Sequence, residues 1–347
     1  MRGVLIALGV IVSLFVLALA WLVVVYPNQA PPGGNKSKVV AIELSARSTT
    51  EEVTARLASE GLIAQPRLFA LYARVLGAES KLRRGRVLLT PQMSARQLLQ
   101  RVAAGFGSTS LLITIPEGFN RYDIAARLDD WNVCSRASFL GALDHLQADA
   151  DGREGYLFPD TYWLHDEMPA EQVIARLSAN ARKRYDQLQD AEQVAFQRLR
   201  DDFGFGLHEV VILASIVEKE AHLPSEQPVI AGVFLNRLSS ERFHPKRLQA
   251  DPTVAYGCAL LNLPSCSGFD GKHITRAMLL DSDNPYNTYR IEGLPPSPIA
   301  NPGLSALRAV LHPAVHDYFY FVSRGDGRHV FSSDLAAHNS AVHGEVP

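Results

Sequence analysis

The chain has 347 residues, of which 47% are hydrophobic and 20% are charged, and its formal net charge at pH 7 is -2. This composition is typical of a globular protein with room for two or three modules, and it argues against disorder. No excess of Lys and Arg is present to neutralise a phosphate backbone, so nucleic acid is not an expected partner.

An apolar segment opens the chain. Val4–Val25 contains no charged residue, and about 20 apolar residues suffice to cross roughly 30 Å of hydrocarbon, whereas the core of a secretory signal has about 7 to 15. Trp21 and Tyr26 close the segment, as expected at a membrane interface. We predict a cytoplasmic start and transmembrane anchor at 1–26 and a linker at 27–38. A cleaved signal peptide is the alternative. A long domain behind one leading hydrophobic segment favours export.

The first part of the exported region contains an internal repeat. A strand at Val39–Leu44 precedes a predicted capping box in which Ser48 caps a helix with Glu51 three residues later. The pattern recurs 71 residues further on, where Ile113 stands in the place of Ile42. A strand at 86–89 and a helix at 94–104 lie between the two copies. Small β-α-α-β modules are predicted, one at 39–106 and a second, with its connection, at 107–169.

The remainder, 170–347, is predicted to be a mixed α/β domain, so the whole chain is assigned to the α+β class. Polar amphipathic helices are expected at 170–202. A helix that is apolar almost all round follows at His208–His222, and its burial implies a core. The segment 249–301 has the composition of loops. A hairpin with strands at 318–322 and 329–331 closes the domain, followed by a helix capped by Ser332 or Ser333.

The cysteine pattern carries no metal signature. Cys134, Cys258 and Cys266 have no CxxC spacing, so neither a metal nor another cofactor is predicted. In an exported domain Cys258 and Cys266 can close a short loop, which would stabilise it by roughly 2.5 kcal/mol. Two free thiols in a polar loop are the alternative.

Two carboxylates interrupt the apolar helix at its end. Burial disfavours the ionised form of a carboxylate, so Glu218 and Glu220 are both candidate proton donors. Two helical steps place them about 200° apart, which prevents them from flanking one glycosidic bond together. Spacing alone does not decide between them, and a buried structural Glu is the alternative for each.

Several motifs occur in one order along most of the chain. They are Ala214-Ser215-Ile216-Val217-Glu218-Lys219-Glu220-Ala221, Ala231-Gly232-Val233-Phe234-Leu235-Asn236-Arg237-Leu238, Gln249-Ala250-Asp251-Pro252-Thr253-Val254-Ala255-Tyr256-Gly257, Tyr286-Asn287-Thr288-Tyr289, Gly293-Leu294-Pro295-Pro296 and Ile299-Ala300-Asn301-Pro302-Gly303. In this order they resemble the endolytic murein transglycosylase (MltG) family. The sequence departs from the family pattern at Ser297, where a Gly is usual, and at Cys258–Cys266, which looks like an elaborated loop.

The resemblance implies a single-pass inner-membrane protein with LysM-like modules and a periplasmic catalytic domain. It implies cleavage of the MurNAc-GlcNAc bond in nascent peptidoglycan, ending strand elongation near the peptidoglycan synthases, and it places the catalytic Glu at Glu218. A lone acid can protonate the glycosidic oxygen and then, as a base, help the C6 hydroxyl to close a 1,6-anhydro ring. The groups expected to line the substrate groove are Gln249, Asp251, Thr253, Tyr256, Asn287 and Tyr289.

Two rival functions remain open at this point. A lysozyme-type hydrolase would need a second carboxylate, for which Asp251 is the candidate in the matched motifs. A non-catalytic scaffold would bind peptidoglycan and recruit synthases.

Overall fold

The computed structural model describes residues 13, 17–28, 40–44, 49–78, 85–91, 93–104, 110–146, 154–165 and 168–344. Within these ranges helices predominate and the strands form three two-stranded antiparallel sheets, which confirms a mixed α+β fold. The described residues fall into two compact units. The first comprises those of Met1–Thr114, Ala125–Ser138 and Thr161–Pro169, and the second those of Ile115–Ile124, Phe139–Asp160 and Ala170–Pro347.

The start of the described chain is helical at 17–20 and continues through the turns Trp21–Val25 and Tyr26–Asn28. Among the described residues, no helix has the length and apolar character needed to cross a membrane. Residues 1–12 and 14–16 of the predicted anchor, and 29–38 of the predicted linker, lie outside the described residues.

The order strand, helix, helix, strand occurs twice along the chain. Its first copy consists of β1 (Val40–Leu44), α1 (Thr50–Ser59), α2 (Pro66–Val75) and β2 (Gly85–Leu89). After α3 (Ala95–Ala104), the second copy consists of β3 (Ser110–Thr114), α4 (Arg121–Asp130), α5 (Arg136–His145) and β4 (Thr161–His165). In each copy the two strands pair antiparallel. Ile42 and Ile113, matched in the sequence, are both buried. The predicted β-α-α-β order is thus found twice, whereas the module bounds at 39–106 and 107–169 and their LysM-like identity stay predictions.

The capping box at the start of α1 lies one residue later than predicted. Thr49, not Ser48, is the N-cap, because its side chain accepts a hydrogen bond from the Glu52 amide and the Glu52 carboxylate accepts one from the Thr49 amide. Glu51, the predicted partner, pairs instead with Arg74 of α2 at 3.3 Å.

The second unit is built on one buried helix. Its elements are α6 (Ala170–Ala191), α7 (Gln193–Phe203), α8 (Leu207–Glu220), α9 (Gln227–Ser239), α10 (Asp251–Leu260), α11 (Arg276–Leu280), α12 (Leu304–Leu311), β5 (Tyr320–Ser323), β6 (His329–Ser332) and α13 (Leu335–Val342). All side chains from Val210 to Val217 are buried, and α8 packs against α9, α10 and α12. The apolar run therefore forms the core, as predicted.

Two sequence predictions in this unit are wrong. The segment 249–301, predicted as loop, contains α10 and α11; Asp251 and Pro252 begin α10 at positions that favour an acid and a proline. The closing helix α13 is capped by Asp334, whose side chain accepts from the Ala337 amide, and not by Ser332 or Ser333. Ser332 belongs to β6, where it pairs with Tyr320.

A disulfide fastens the segment after α10. Cys258, near the end of that helix, is bonded to Cys266, so the disulfide alternative is confirmed over two free thiols. The two sulfurs pack in a small apolar cluster with Val254 and Met278.

Candidate active site

The last turn of α8 delivers two carboxylates to different surroundings. The helix ends at Glu220, where the amide of Ala221 still donates to the Val217 carbonyl at 3.0 Å. Successive residues of a helix are turned by about 100°, so Glu218 and Glu220 leave it in nearly opposite directions. Each therefore has its own neighbours.

Glu220 lies on the wall of a cavity of about 450 Å³. The cavity is lined by Lys219, Glu220, His222, Arg237, Gln249, Asp251, Tyr289, Tyr320, Phe321, Val322, Ser323, His329, Leu335 and His338. It combines aromatic surface with a few converging charged groups, which is the usual character of a ligand site.

The surroundings of the Glu220 carboxyl raise its pKa well above the ordinary value. Its pKa is raised to about 7, first by burial, then by the negative charge of Asp251, while Arg237 opposes the rise. The carbonyl end of α8, where Glu220 sits, carries partial negative charge and disfavours a carboxylate further. A carboxylic acid of this kind is able both to donate a proton and to take one back.

Arg237 of α9 is fixed before any ligand arrives. Its guanidinium donates hydrogen bonds to the carbonyls of Phe319 and Leu248. Aromatic rings surround it at centroid distances of 5.3 to 5.9 Å, including those of Phe243 and Tyr320. Burial lowers the pKa of Arg237 to about 10, so it remains a cation at neutral pH.

Three of the six predicted substrate-binding residues line this cavity: Gln249, Asp251 and Tyr289. The Tyr289 hydroxyl donates to the Asp251 carboxylate at 2.7 Å. Burial and this hydrogen bond raise the pKa of Tyr289, which keeps its hydroxyl protonated. Gln249 is exposed and has a φ of 52°, a left-handed backbone that is rare for a residue with a side chain.

The other three predicted substrate-binding residues are buried and engaged within the protein. The Thr253 hydroxyl donates to the Ala250 carbonyl at 2.7 Å. The Asn287 amide donates to three main-chain carbonyls, the nearest being that of Asp281 at 2.7 Å. The Tyr256 hydroxyl donates to Glu154 at 3.1 Å. The structure thus places these three side chains in the frame of the site and not on the cavity wall.

Glu218, the predicted catalytic residue, faces another part of the second unit. Its carboxylate accepts a hydrogen bond from the Gly303 amide at 3.2 Å, and its Cγ lies 3.4 Å from where a Cβ on Gly118 would stand. Burial is the main cause that raises its pKa, with the Gly303 hydrogen bond opposing and the nearby charge of Glu117 adding to the rise. Glu218 is not among the residues lining the cavity described above.

A buried polar network holds the segments beside Glu218. Glu154 accepts hydrogen bonds from the Arg121 amide, the Tyr256 hydroxyl and the Asn301 side chain. Asn301 in turn accepts from the Leu157 amide at 2.8 Å. Burial raises the pKa of Glu154 to about 7, while these donors and the Arg121 charge oppose the rise. In this way the network ties α4 and α10 to the chain that leads to Gly303.

In the described ranges, no group of three or more His, Cys, Asp or Glu side chains is arranged to hold a metal ion. Several histidines nevertheless reach the cavity. His329 is paired with Glu226 at 2.7 Å, and its ring centroid lies 6.4 Å from that of His222. His338 stacks on Tyr320 with ring centroids 5.3 Å apart.

Sequence reasoning did not place Arg237 or these histidines in the site. The signal for Arg237 is a cation within the otherwise apolar helix α9, which burial makes costly unless it has partners. The histidines come from the hairpin and α13, and no local pattern brings them to Glu220. Only the tertiary packing of these elements does so.

This chain is similar to known proteins over most of its length. The model of the YceG-like family matches residues 42–344. The endolytic murein transglycosylase of Bacillus subtilis (strain 168) is 28% identical over 333 residues, which cover 90% of this chain and 86% of that protein. The protein of the same name from Streptococcus pneumoniae serotype 2 (strain D39 / NCTC 7466) is 25% identical over 348 residues, covering 90% of this chain and 59% of the relative.

A solved structure supports the same assignment. The crystal structure of a yceG-like protein from Listeria monocytogenes aligns with a TM-score of 0.55 and 26% identity, over 88% of this chain and 100% of that chain. Because the family match spans far more than half of the residues, the chain belongs to the YceG-like family.

Proposed function

We propose that this chain is an endolytic lytic transglycosylase that cuts the MurNAc-GlcNAc bond of peptidoglycan strands, with Glu220 as its proton donor. The activity is the one named for the Bacillus subtilis and Streptococcus pneumoniae relatives. The observation that carries the residue assignment is a carboxyl with a pKa of about 7 on a cavity wall that it shares with Gln249, Asp251 and Tyr289.

A single carboxyl is sufficient for the reaction. Protonated Glu220 donates its proton to the glycosidic oxygen, the bond from that oxygen to C1 of MurNAc breaks, and the sugar becomes oxocarbenium-like. The resulting carboxylate removes the proton of the C6 hydroxyl as O6 bonds to C1. The products are a free hydroxyl on the leaving strand and a 1,6-anhydro MurNAc end. No water is consumed, and Glu220 is again protonated.

Arg237 supports the second half of this cycle. Its fixed positive charge favours the carboxylate form of Glu220. It therefore lowers the free energy of forming the base that takes the C6 proton. Burial and Asp251 favour the acid that must act first. A pKa near 7 is the outcome of these opposing effects, and it suits a group that acts as both acid and base at neutral pH.

Glu218 remains the sequence-based prediction for the same role, so the two carboxylates should be tested side by side. The full chain in detergent, as wild type, Glu218→Gln and Glu220→Gln, is incubated with uncrosslinked glycan, and the products are weighed by mass spectrometry. We expect products with anhydro ends from wild type, a loss of roughly 100-fold or more in Glu220→Gln, and much smaller loss in Glu218→Gln. Thermal unfolding of each variant checks that it is folded.

The other outcomes each favour a different reading. If Glu218→Gln is inactive and Glu220→Gln is active, the catalytic acid is Glu218. Products that carry only reducing ends are one water heavier than products with anhydro ends. Finding only these would favour the lysozyme-type hydrolase with Asp251 as its second carboxylate. Full complementation of a deletion strain by both Glu218→Gln and Glu220→Gln would favour the non-catalytic scaffold.

We further propose that the chain is a single-pass inner-membrane protein with its catalytic domain in the periplasm. The support is the uncharged run Val4–Val25 and the peptidoglycan substrate, which lies outside the inner membrane. The twofold β-α-α-β order is compatible with LysM-like modules. A role in ending strand elongation, close to the synthases, rests on the motif resemblance. Longer glycan strands in cells that carry Glu220→Gln would support it, and unchanged strands would contradict it.

A further inference from the structure

A second carboxylate shares the cavity wall with Glu220. Asp251, the first residue of α10, has an exposed side chain. The Tyr289 hydroxyl donates to its Oδ1 at 2.7 Å, which fixes the position of the charge. Asp251 lines the cavity, whereas Thr253, two residues further along, is buried and bonded to the Ala250 carbonyl.

We propose that Asp251, held by Tyr289, is a positioning residue that keeps the Glu220 carboxyl protonated in the resting enzyme. The proposal rests on the function assigned to Glu220 above. A like charge close to a carboxyl disfavours its ionisation, and the effect is strongest where solvent is partly excluded. Asp251 would therefore act through Glu220 and not on the sugar itself.

The other charged groups of the cavity do not cancel this effect. Arg237 is the one that opposes it directly, from α9, and its guanidinium is already committed to the carbonyls of Phe319 and Leu248. Lys219 donates to the Gly118 carbonyl at 3.3 Å. The remaining titratable neighbours on the cavity wall are His222, Tyr320, His329 and His338.

The three histidines on the cavity wall have different surroundings. Burial and the Arg237 charge lower the pKa of His338, so this ring is neutral. His329 Nδ1 lies 2.7 Å from a carboxylate oxygen of Glu226. His222 is exposed to solvent, which screens interactions between charged groups. Asp251 is thus the group that offsets Arg237 in this cavity.

The direct test is the titration of Glu220 itself. The full chain is labelled with ¹³C at the glutamate side-chain carboxyls. The Glu220 signal is assigned as the one that is missing in Glu220→Gln, and the midpoint of its chemical-shift titration with pH is measured. We expect the midpoint to fall by about 1 pH unit in Asp251→Asn. Tyr289→Phe, which frees Asp251 to turn toward solvent, should give a smaller fall. Asp202→Asn, an exposed carboxylate on α7, is the matched control and should give none.

Enzyme assays then connect the titration with catalysis. The protonated form of Glu220 is the one that acts first. In Asp251→Asn the alkaline limb of the pH-activity profile should therefore move to lower pH by the same amount, which means about tenfold less activity at a given pH on that limb. Asp251→Glu should restore the limb. An unchanged Glu220 midpoint in both Asp251→Asn and Tyr289→Phe would overturn the proposal, as would an equal loss of activity at every pH.

The two assignments fail in different ways. If Glu220→Gln is as active as wild type, the proposed function of Glu220 is wrong even when the midpoint moves as expected. If Glu220→Gln is inactive but the midpoint does not move, Glu220 is the acid and Asp251 has another role. Should Asp251→Asn not fold, Tyr289→Phe alone decides the matter, since it leaves α10 unchanged.

Discussion

Gln249 occupies a backbone conformation that its side chain makes costly. Its φ of 52° is left-handed, and such a conformation costs roughly 1 to 2 kcal/mol for residues other than glycine. Hydrogen bonds from the peptide groups on either side of the Gln249 Cα hold this conformation. The Gln249 amide donates to the Thr288 carbonyl at 3.1 Å, and the Ala250 amide donates to the Thr288 hydroxyl at 3.0 Å. Strain of this kind beside a cavity is expected when it directs a side chain toward a ligand.

Replacing Gln249 separates the backbone from the side chain. Gln249→Gly should be more stable than Gln249→Ala by about 1 kcal/mol, because only glycine adopts a positive φ without penalty. Both variants lack the amide, so both should bind glycan less tightly. Urea unfolding measures the first effect and the KM for uncrosslinked glycan the second. A Gly variant less stable than the Ala variant would show that the left-handed conformation is not strained.

At the residue scale the sequence predicted the candidate residues better than their exposure. Helical spacing placed Glu218 and Glu220 on opposite sides of α8, as found, but it contains no information about what packs against each side. Thr253, Tyr256 and Asn287 share motifs with Asp251 and Tyr289, yet they point inward. A motif identifies a stretch of chain, whereas exposure within it depends on what packs against α10.

At the scale of elements, the Glu154 network joins α4, α10 and the turn at Asn301. A folded-state pKa of about 7, against an ordinary value of 4.5, means that the folded protein binds the Glu154 proton more tightly than the unfolded chain does. Between pH 4.5 and about pH 7 folding takes up a proton at Glu154. The contribution of Glu154 to stability is therefore greatest below pH 4.5 and is lost as the pH rises through about 7.

The expected result is a protein that is more stable at pH 5 than at pH 8, with Glu154 contributing roughly 3 kcal/mol to the difference. Urea unfolding at both pH values measures it. Glu154→Gln cannot titrate, so its stability should depend less on pH, although it should be less stable at pH 5 because an amide cannot accept from all three donors. Equal pH dependence in the variant and wild type would rule out Glu154 as a source.

The elements themselves were predictable where the pattern was strong. The apolar run gave α8, and the alternation of strands and capped helices gave both β-α-α-β copies. The helix α10 was missed because its Gly, Pro and Tyr content is that of loops. Its buried side chains Val254 and Cys258 pack against Cys266 and Met278, which lie in the chain that follows the helix. Likewise, Glu51 is three residues after Ser48, but the helix begins after Thr49, which makes Glu52 the capping partner.

At the scale of the whole molecule, the proposed anchor at 1–26 predicts where the enzyme works. We expect the intact chain to fractionate with membranes, and its catalytic domain to be digested by protease added to spheroplasts. Leu14→Arg with Leu17→Arg should weaken membrane retention, since an Arg at the centre of a spanning helix costs about 2.5 to 3.5 kcal/mol. A shortened chain in the soluble fraction would instead indicate the cleaved signal peptide.

The final turn of α8 has a consequence for how this enzyme can change over evolution. Glu218 and Glu220 lie on the same helix, so the angle between their side chains is fixed by the helical repeat and cannot be adjusted by a loop. Inserting or deleting a single residue between Val217 and Glu220 would swing the second acid by about 100°, away from Arg237 and Asp251. A change of length in this turn should therefore abolish activity even when both acids are retained.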